Sequence, residues 1–429
     1  MTNLDLNPRF ATLGGYPFAR LRSLLDGLAP PDGVRPIDMT IGEPRRPLPP
    51  MVAETVAGQA AGFGRYPPTR GSLALRQAFA AWLDRRYALP AGLIDPERHV
   101  MALNGTREGL FQIALVCVPP QRNGQQPAVL VPNPFYQCYA GAAAAAGAET
   151  VFLPATPSTG HLPDLDALPA TLLDRTALFY ICSPANPQGA AATADYWRRL
   201  LALARRHGFV VAADECYAEI YRDTAPPGAL QAAAESGALD NLVVFHSLSK
   251  RSGVPGLRGG ICAGDPAVIE HFTTLRSYGG APMPLPLDAA ATALWGDEDH
   301  VVATRAHYNA AYDAAERILG SRVGGNRFAA GELRPAGGFF LWLDVGDGEG
   351  FAHRLWTRAG LRVLPGGYLT RADAGGRNVG APFIRVALVD DLETIGEGLT
   401  RLAAELAAAE AGPDRGGPGH ARSQEAPSA

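Results

Sequence analysis

Between about residue 95 and residue 265 the chain alternates short apolar runs with longer stretches whose apolar positions recur at helical spacing. The short runs are HVMALN (99–104), PAVLVP (127–132), ETVFLP (149–154), TALFYIC (176–182), GFVVAAD (208–214), NLVVFHS (241–247) and GGICAG (259–264). Seven strands with helices between them predict a parallel α/β sheet. Most runs are apolar at consecutive positions rather than alternate ones, which predicts helices on both faces of that sheet. Helical spacing is plain in TREGLFQIALVCV (106–118) and ADYWRRLLALARRHG (194–208), with a Pro-Gly-Ala break at 227–229.

After YGGAPMPLPLD (278–288) the pattern changes. A long helical stretch over 286–320 leads to AGGFFLWLDV (336–345), a helix and a last strand in FIRVAL (383–388). That order predicts a smaller α+β domain, joined by residues before about 45. The expected division is an N-terminal arm over 1–45, a large domain over 46–294, a small domain over 295–411 and a tail over 412–429. The tail, GPDRGGPGHARSQEAPSA, has no apolar periodicity and is expected to be disordered, with no catalytic role.

Composition narrows the functional class. A length of 429 residues is too great for one compact core, and 47% hydrophobic residues can fill two. The net charge is −4 and arginine is scattered along the chain, so no basic patch points to nucleic acid. No apolar run approaches the ~20 residues of a membrane span, and MTNLDLNPRF has no basic stretch followed by an apolar core, so neither membrane insertion nor export is expected. The five cysteines form no C-x-x-C pair, which fits a reduced, cytoplasmic protein without a bound metal. Small polar molecules are the expected partners.

Ligands of an open parallel sheet bind beyond the carboxyl ends of its strands, and polar residues collect there in five separate segments. Asn104-Gly105-Thr106-Arg107 follows the first run, Asn133 to Tyr139 the second, Ser183-Pro184-Ala185-Asn186-Pro187 the fourth, Asp214-Glu215-Cys216-Tyr217 the fifth and Ser247-Leu248-Ser249-Lys250 the sixth. Each has an ordinary explanation as a cap, a turn or a core aromatic. Together they place a carboxylate, a phenol, an amide, a phosphate-type loop and a lysine on one edge.

Lys250 is the sole lysine of the chain, in a sequence that otherwise uses arginine. A guanidinium stays protonated and is a poor nucleophile, whereas an ammonium loses its proton when desolvated or placed near cations and then attacks carbonyls. Arg251 and Arg258, near in sequence, are expected to lower its pKa.

With these residues in view, the chain resembles the class I/II pyridoxal-phosphate aminotransferases of fold type I over nearly all of residues 15–410. The resemblance rests on Ser247, Ser249, Lys250 and Arg258 in S-x-S-K-x7-R spacing, on DECY with Asp214 and Tyr217, on SPANPQG with Asn186 and on Arg385 in FIRVAL. It implies a mostly parallel seven-stranded sheet between helices plus the smaller domain, and a homodimer with shared active sites. Within the family, FHSLSKRSGVPGLRGG, NGTREGLF, PNPFYQCYAGA and PAGGFFLWL are most similar to bacterial succinyldiaminopimelate transaminases. Those enzymes use glutamate to aminate N-succinyl-2-amino-6-oxopimelate on the way to lysine. Family members acting on aspartate, aromatic or kynurenine-type substrates, and C–S lyases, stay open as alternatives.

The resemblance also assigns roles. Lys250 would hold pyridoxal 5′-phosphate covalently, Asp214 would pair with its pyridine nitrogen, Tyr217 and Asn186 would bond its 3′-oxygen, and Tyr136 would stack on its ring. Gly105, Thr106, Arg107, Ser247, Ser249 and Arg258 would hold the phosphate, joined by Tyr66 from the neighbouring subunit. Arg385 would grip the substrate α-carboxylate, with Asn186 beside it, and Gly42 would lie in the segment that folds over the substrate. The distal-carboxylate candidates are Arg20, Arg22, Arg45, Arg46, Arg276 and Arg305.

Overall fold

The computed structural model describes residues 6–322, 328 and 330–410. Seven strands form one sheet: β1 (Val100–Asn104), β2 (Ala128–Asn133), β3 (Glu149–Pro154), β4 (Thr176–Cys182), β5 (Val210–Asp214), β6 (Leu242–Ser247) and β7 (Gly259–Gly264). Their order across the sheet is β1-β7-β6-β5-β4-β2-β3. All neighbours run parallel except β7, which lies antiparallel to both β1 and β6. The sequence pattern therefore located every strand of this sheet to within two residues. The tail expected over 412–429 lies outside the described residues.

The continuous apolar runs reflect burial on both faces. Ala102, Leu130, Phe179, Val211 and Val244 enter one core, while Met101, Val129, Leu178, Ala212 and Val243 enter the other. The first face is covered in part by the helix Ala194–His207, whose buried residues Trp197, Leu200, Leu201 and Ala204 recur at helical spacing. Thr193 caps its start by accepting from the Tyr196 amide, and Gly208 ends it with a left-handed φ of 70°.

A second core gathers around a three-stranded antiparallel sheet of β8 (Phe340–Asp344), β9 (Leu364–Pro365) and β10 (Phe383–Ala387), with β10 in the middle. Ile37 and Met39 from the N-terminal segment are buried in this core, and Ile37–Asp38 pairs in parallel with Leu361–Arg362. The helical stretch read over 286–320 divides into Leu285–Gly296 and Asp299–Arg322. Asp297 marks the break, accepting from the Asp299 amide at 3.1 Å and pairing with His300 Nδ1 at 2.9 Å. Trp295, which the sequence division assigned to the small domain, packs instead in the large-sheet core against Phe79 and Trp82.

This arrangement brings the carboxyl ends of β2, β4, β5 and β6, the start of the helix after β1, and Arg385 of β10 to one region. β5 is the fourth of seven strands, so its last residue, Asp214, sits at the centre of that edge.

Candidate active site

Each strand end delivers its side chain by a local rule. Leaving the sheet, β6 enters a four-residue helix, Leu248–Arg251, that is capped by Ser247, whose Oγ accepts from the Ser249 amide at 3.1 Å. Lys250 stands on this helix. Its Nζ donates to the Gly42 carbonyl and lies 5.4 Å from the centre of the Phe339 ring. Burial pushes its pKa down to about 8, opposed by Cys216 and assisted by Arg385 and Arg258.

Arg251 takes no part in that shift, contrary to the expectation from sequence. One residue along a helix turns a side chain by about 100°, and Arg251 points into the core. There it donates to the Leu294 and Asp297 carbonyls, pairs with Glu298 at 2.6 Å and lies over the Trp82 and Trp295 rings.

Arg385 is the second cation of the site. It is 5% exposed, donates to Asn186 Oδ1 at 3.1 Å and to the Thr40 carbonyl at 2.7 Å, and lies 4.3 Å from the Phe340 ring centre. Its Nε is buried without a partner. The other buried arginines among the described residues each meet a carboxylate, Arg251 meeting Glu298 and Arg276 meeting Glu108. Arg385 meets none among the described residues, and burial lowers its pKa to about 10. A desolvated guanidinium with an open edge is a receptor for a carboxylate.

Asp214 is 6% exposed, and burial raises its pKa. Its Oδ2 accepts from the Tyr139 hydroxyl at 2.6 Å, and its Oδ1 from the Cys216 amide at 3.3 Å. No cation pairs with it among the described residues, so a protonated ring nitrogen would satisfy it. Tyr139 was not assigned a role from sequence, and it stacks flat on Tyr180 with ring centres 4.5 Å apart. The available signal was its spacing of three from Tyr136, the residue just before the helix Gln137–Ala146, and the two rings meet edge to face at 5.6 Å. Tyr217 is buried between Phe339 and Phe340, and its hydroxyl has no hydrogen-bond partner among the described residues.

The anion cradle forms where β1 meets the helix Thr106–Cys117. Gly105 caps that helix with a φ of 90°, and a Cβ there would lie 2.1 Å from Arg258 Nη2. Glycine therefore serves both the backbone turn and the close approach of the guanidinium. The amides at the helix start and the nearby Arg258, which has no carboxylate partner among the described residues, suit a phosphate dianion. The Arg107 side chain turns aside, donating from Nε to the Tyr136 hydroxyl. Thr106 Oγ1 lies 3.3 Å from Cys216 Sγ. Gly42 packs so closely on Phe340 that a Cβ would meet the ring at 2.3 Å. Tyr66 joins none of these groups, and its ring is fully exposed.

Of the distal-carboxylate candidates, Arg276 is committed to Glu108 and Gln112, Arg305 to Glu219, and Arg45 to Asp390. Arg46 donates to the Ala303 carbonyl, and Arg20 lies over the Tyr368 ring at 3.9 Å.

Two outcomes follow from this geometry. An amine whose pKa is near 8 is charged below that pH and nucleophilic above it, so cofactor-free protein should take up pyridoxal phosphate with a rate rising about tenfold per pH unit below 8 and levelling above. Stopped-flow absorbance measures this, and a rate still climbing steeply to pH 10 would contradict it. Tyr139→Phe keeps the stack on Tyr180 but leaves Asp214 Oδ2 without its donor. Equilibrium dialysis should show weaker cofactor retention at unchanged thermal stability, and unaltered retention would remove Tyr139 from the site.

Comparisons with known proteins agree with this fold. The solved aminotransferase of Neisseria meningitidis Z2491 superposes with a TM-score of 0.86 at 37% identity, covering 93% of this chain and 99% of that one. Aminotransferase AspB of Helicobacter pylori 26695 gives a TM-score of 0.81 at 32% identity, with 91% and 98% covered. In sequence, LL-diaminopimelate aminotransferase of Desulforudis audaxviator is 32% identical over 403 residues, 92% of this chain and 96% of the relative. The 4-dedimethylamino-4-oxo-anhydrotetracycline transaminase OxyQ of Streptomyces rimosus is 32% identical over 376 residues, 87% and 94% respectively. The family "Aminotransferase class I and II" matches residues 34–402. The chain thus belongs to the class I and II aminotransferases and is a pyridoxal-phosphate-dependent enzyme with their α/β fold.

Proposed function

We propose that this enzyme is a succinyldiaminopimelate transaminase, which moves an amino group from glutamate to N-succinyl-2-amino-6-oxopimelate in cytoplasmic lysine biosynthesis. The observation that carries transamination is the pairing of Arg385, buried without a counter-ion, with Lys250, whose amine is half-way to neutral near pH 8. One cation receives the substrate's α-carboxylate, and the other group becomes the base.

Bound pyridoxal phosphate supplies an electron sink for the charge left when the substrate's α-proton departs. The Lys250 amine would take that proton from the substrate's α-carbon and deliver it to the cofactor's C4′ carbon. Asp214, held by Tyr139, would keep the ring nitrogen protonated. Tyr217 and Asn186 would donate to the ring oxygen, Tyr136 would stack on the ring, and Gly105, Thr106, Arg107, Ser247, Ser249 and Arg258 would hold the phosphate. Arg385 and Asn186 orient the substrate, and Gly42 lets the N-terminal segment lie close over it. Donor and acceptor use one site in turn, so kinetics should be ping-pong.

The succinylated acceptor is supported by the sequence likeness described above and by relatives that act on diaminopimelate. A second reading, transamination of LL-diaminopimelate itself, is favoured by the 32% identity to enzymes of that name. The two differ at the far end of the substrate, which is anionic in the first and carries an ammonium as well as a carboxylate in the second. Steady-state assays with glutamate should give the succinylated keto acid a kcat/KM at least about tenfold above oxaloacetate, the worth of one modest charge-assisted contact. Equal or better rates with oxaloacetate or phenylpyruvate would move the assignment to another aminotransferase. Faster turnover of LL-diaminopimelate with 2-oxoglutarate would favour the second reading.

A homodimer with shared sites completes the proposal. Tyr66 is fully exposed and Phe63 is 59% exposed on the same segment, which suits a surface covered by a second copy. Mixing Lys250→Ala with Tyr66→Ala protein should restore activity, since a hybrid dimer then holds one site free of both defects. No gain on mixing, with full activity in a sedimenting monomer, would overturn the shared site.

A further inference from the structure

A cavity of about 590 Å³ opens beside the candidate site and shares Arg107, Tyr136 and Arg258 with it. Its walls are mainly apolar, with Leu13, Phe111, Tyr136 and Ala140 among them, and Arg371 stands in its lining. Such walls suit a chain of methylene groups, and a cation among them suits an anionic terminus.

Arg371 is built into place from three directions. Its backbone amide donates to Asn133 Oδ1 at 3.0 Å and its carbonyl accepts from Asn133 Nδ2 at 2.9 Å, which docks its loop on the end of β2 just before Tyr136. Its guanidinium lies 5.1 Å from the Phe135 ring centre, and Nη2 donates to the Leu13 carbonyl. Of its five N–H groups, only the two on the Leu13 and Thr370 carbonyls are used, and no carboxylate pairs with it among the described residues.

The charge balance of the cavity selects among ligands. Three arginines line it; Arg107 and Arg258 are given to the phosphate, which leaves Arg371 as the cation for a second anion, and Glu108 is the single acid of the lining. Glu108 is already committed to Arg276 at 2.7 Å. An ammonium at the far end of a substrate would find no free carboxylate in this lining, whereas a carboxylate would find an unpaired guanidinium.

We propose that this cavity receives the far end of the amino acceptor and that Arg371 pairs with the carboxylate there, selecting long acceptors with an anionic terminus. The inference rests on the transaminase reading and names the substrate class of the same site. Arg371 is a specificity residue, separate from the groups that move the proton.

The test uses the full-length holoenzyme with glutamate as donor. It compares kcat/KM for N-succinyl-2-amino-6-oxopimelate with that for the analogue whose succinyl carboxylate is a primary amide. Wild type should favour the carboxylate at least tenfold, Arg371→Ala should erase most of that ratio, and Arg371→Lys should restore part of it. Should the alanine variant not fold, Arg371→Gln retains a donor toward Leu13 and reads the same ratio. Equal losses on both acceptors, with the ratio intact, would reduce Arg371 to a tether for the N-terminal segment and overturn the proposal, as would a wild type that does not distinguish them. If the succinylated acceptor is not turned over, 2-oxosuberate and its terminal amide supply the ratio. Its loss in Arg371→Ala would then uphold Arg371 while the succinylated substrate falls.

Discussion

Arg385 and Lys250 bring positive charge to a place where no carboxylate pairs with either among the described residues, and the site is organised around that imbalance. Removing an ion from water costs several kcal/mol unless partners replace the lost solvation. Arg385 is offset only in part, by one amide oxygen, one backbone carbonyl and the face of Phe340. Lys250 responds by giving up its proton more readily, with a pKa near 8. The same deficit suits one group to binding a carboxylate and the other to the proposed role of nucleophile and base.

The negative side of the site obeys a matching rule. Asp214 is desolvated at the end of the central strand, and its neighbours donate hydrogen bonds without adding positive charge. Its neighbour Glu215 serves a different purpose, accepting from the Tyr87 hydroxyl at 2.6 Å and the Ala229 amide at 2.9 Å inside the large core. Adjacent residues at a strand end point to opposite sides, so one carboxylate faces the candidate site and the other fixes the following loop. Packing does the positioning: Tyr139 is held by its stack on Tyr180, whose own hydroxyl donates to the Leu110 carbonyl at 2.6 Å.

The strands were legible because a parallel sheet covered on both faces writes itself as uninterrupted apolar runs. The strand-end residues were legible because each follows its strand directly in sequence. What the sequence concealed depends on contacts between distant segments. Tyr139 and Asp214 are 75 positions apart, and Arg371 meets Leu13 across 358. Neither pairing leaves a local pattern. Arg251 misled for the opposite reason, because nearness in sequence stood in for direction, and the helical turn carried it to Trp82 and Trp295 instead of Lys250.

The account turns on one amine. Reducing the holoenzyme with borohydride and mapping the labelled peptide by mass spectrometry tests it directly, since Lys250 is the sole lysine and the α-amino group the one other candidate amine. The label should fall on the peptide containing Lys250, and Lys250→Ala should neither take the label nor transaminate. A label on the N-terminal amine, or full activity in Lys250→Ala, would contradict the account.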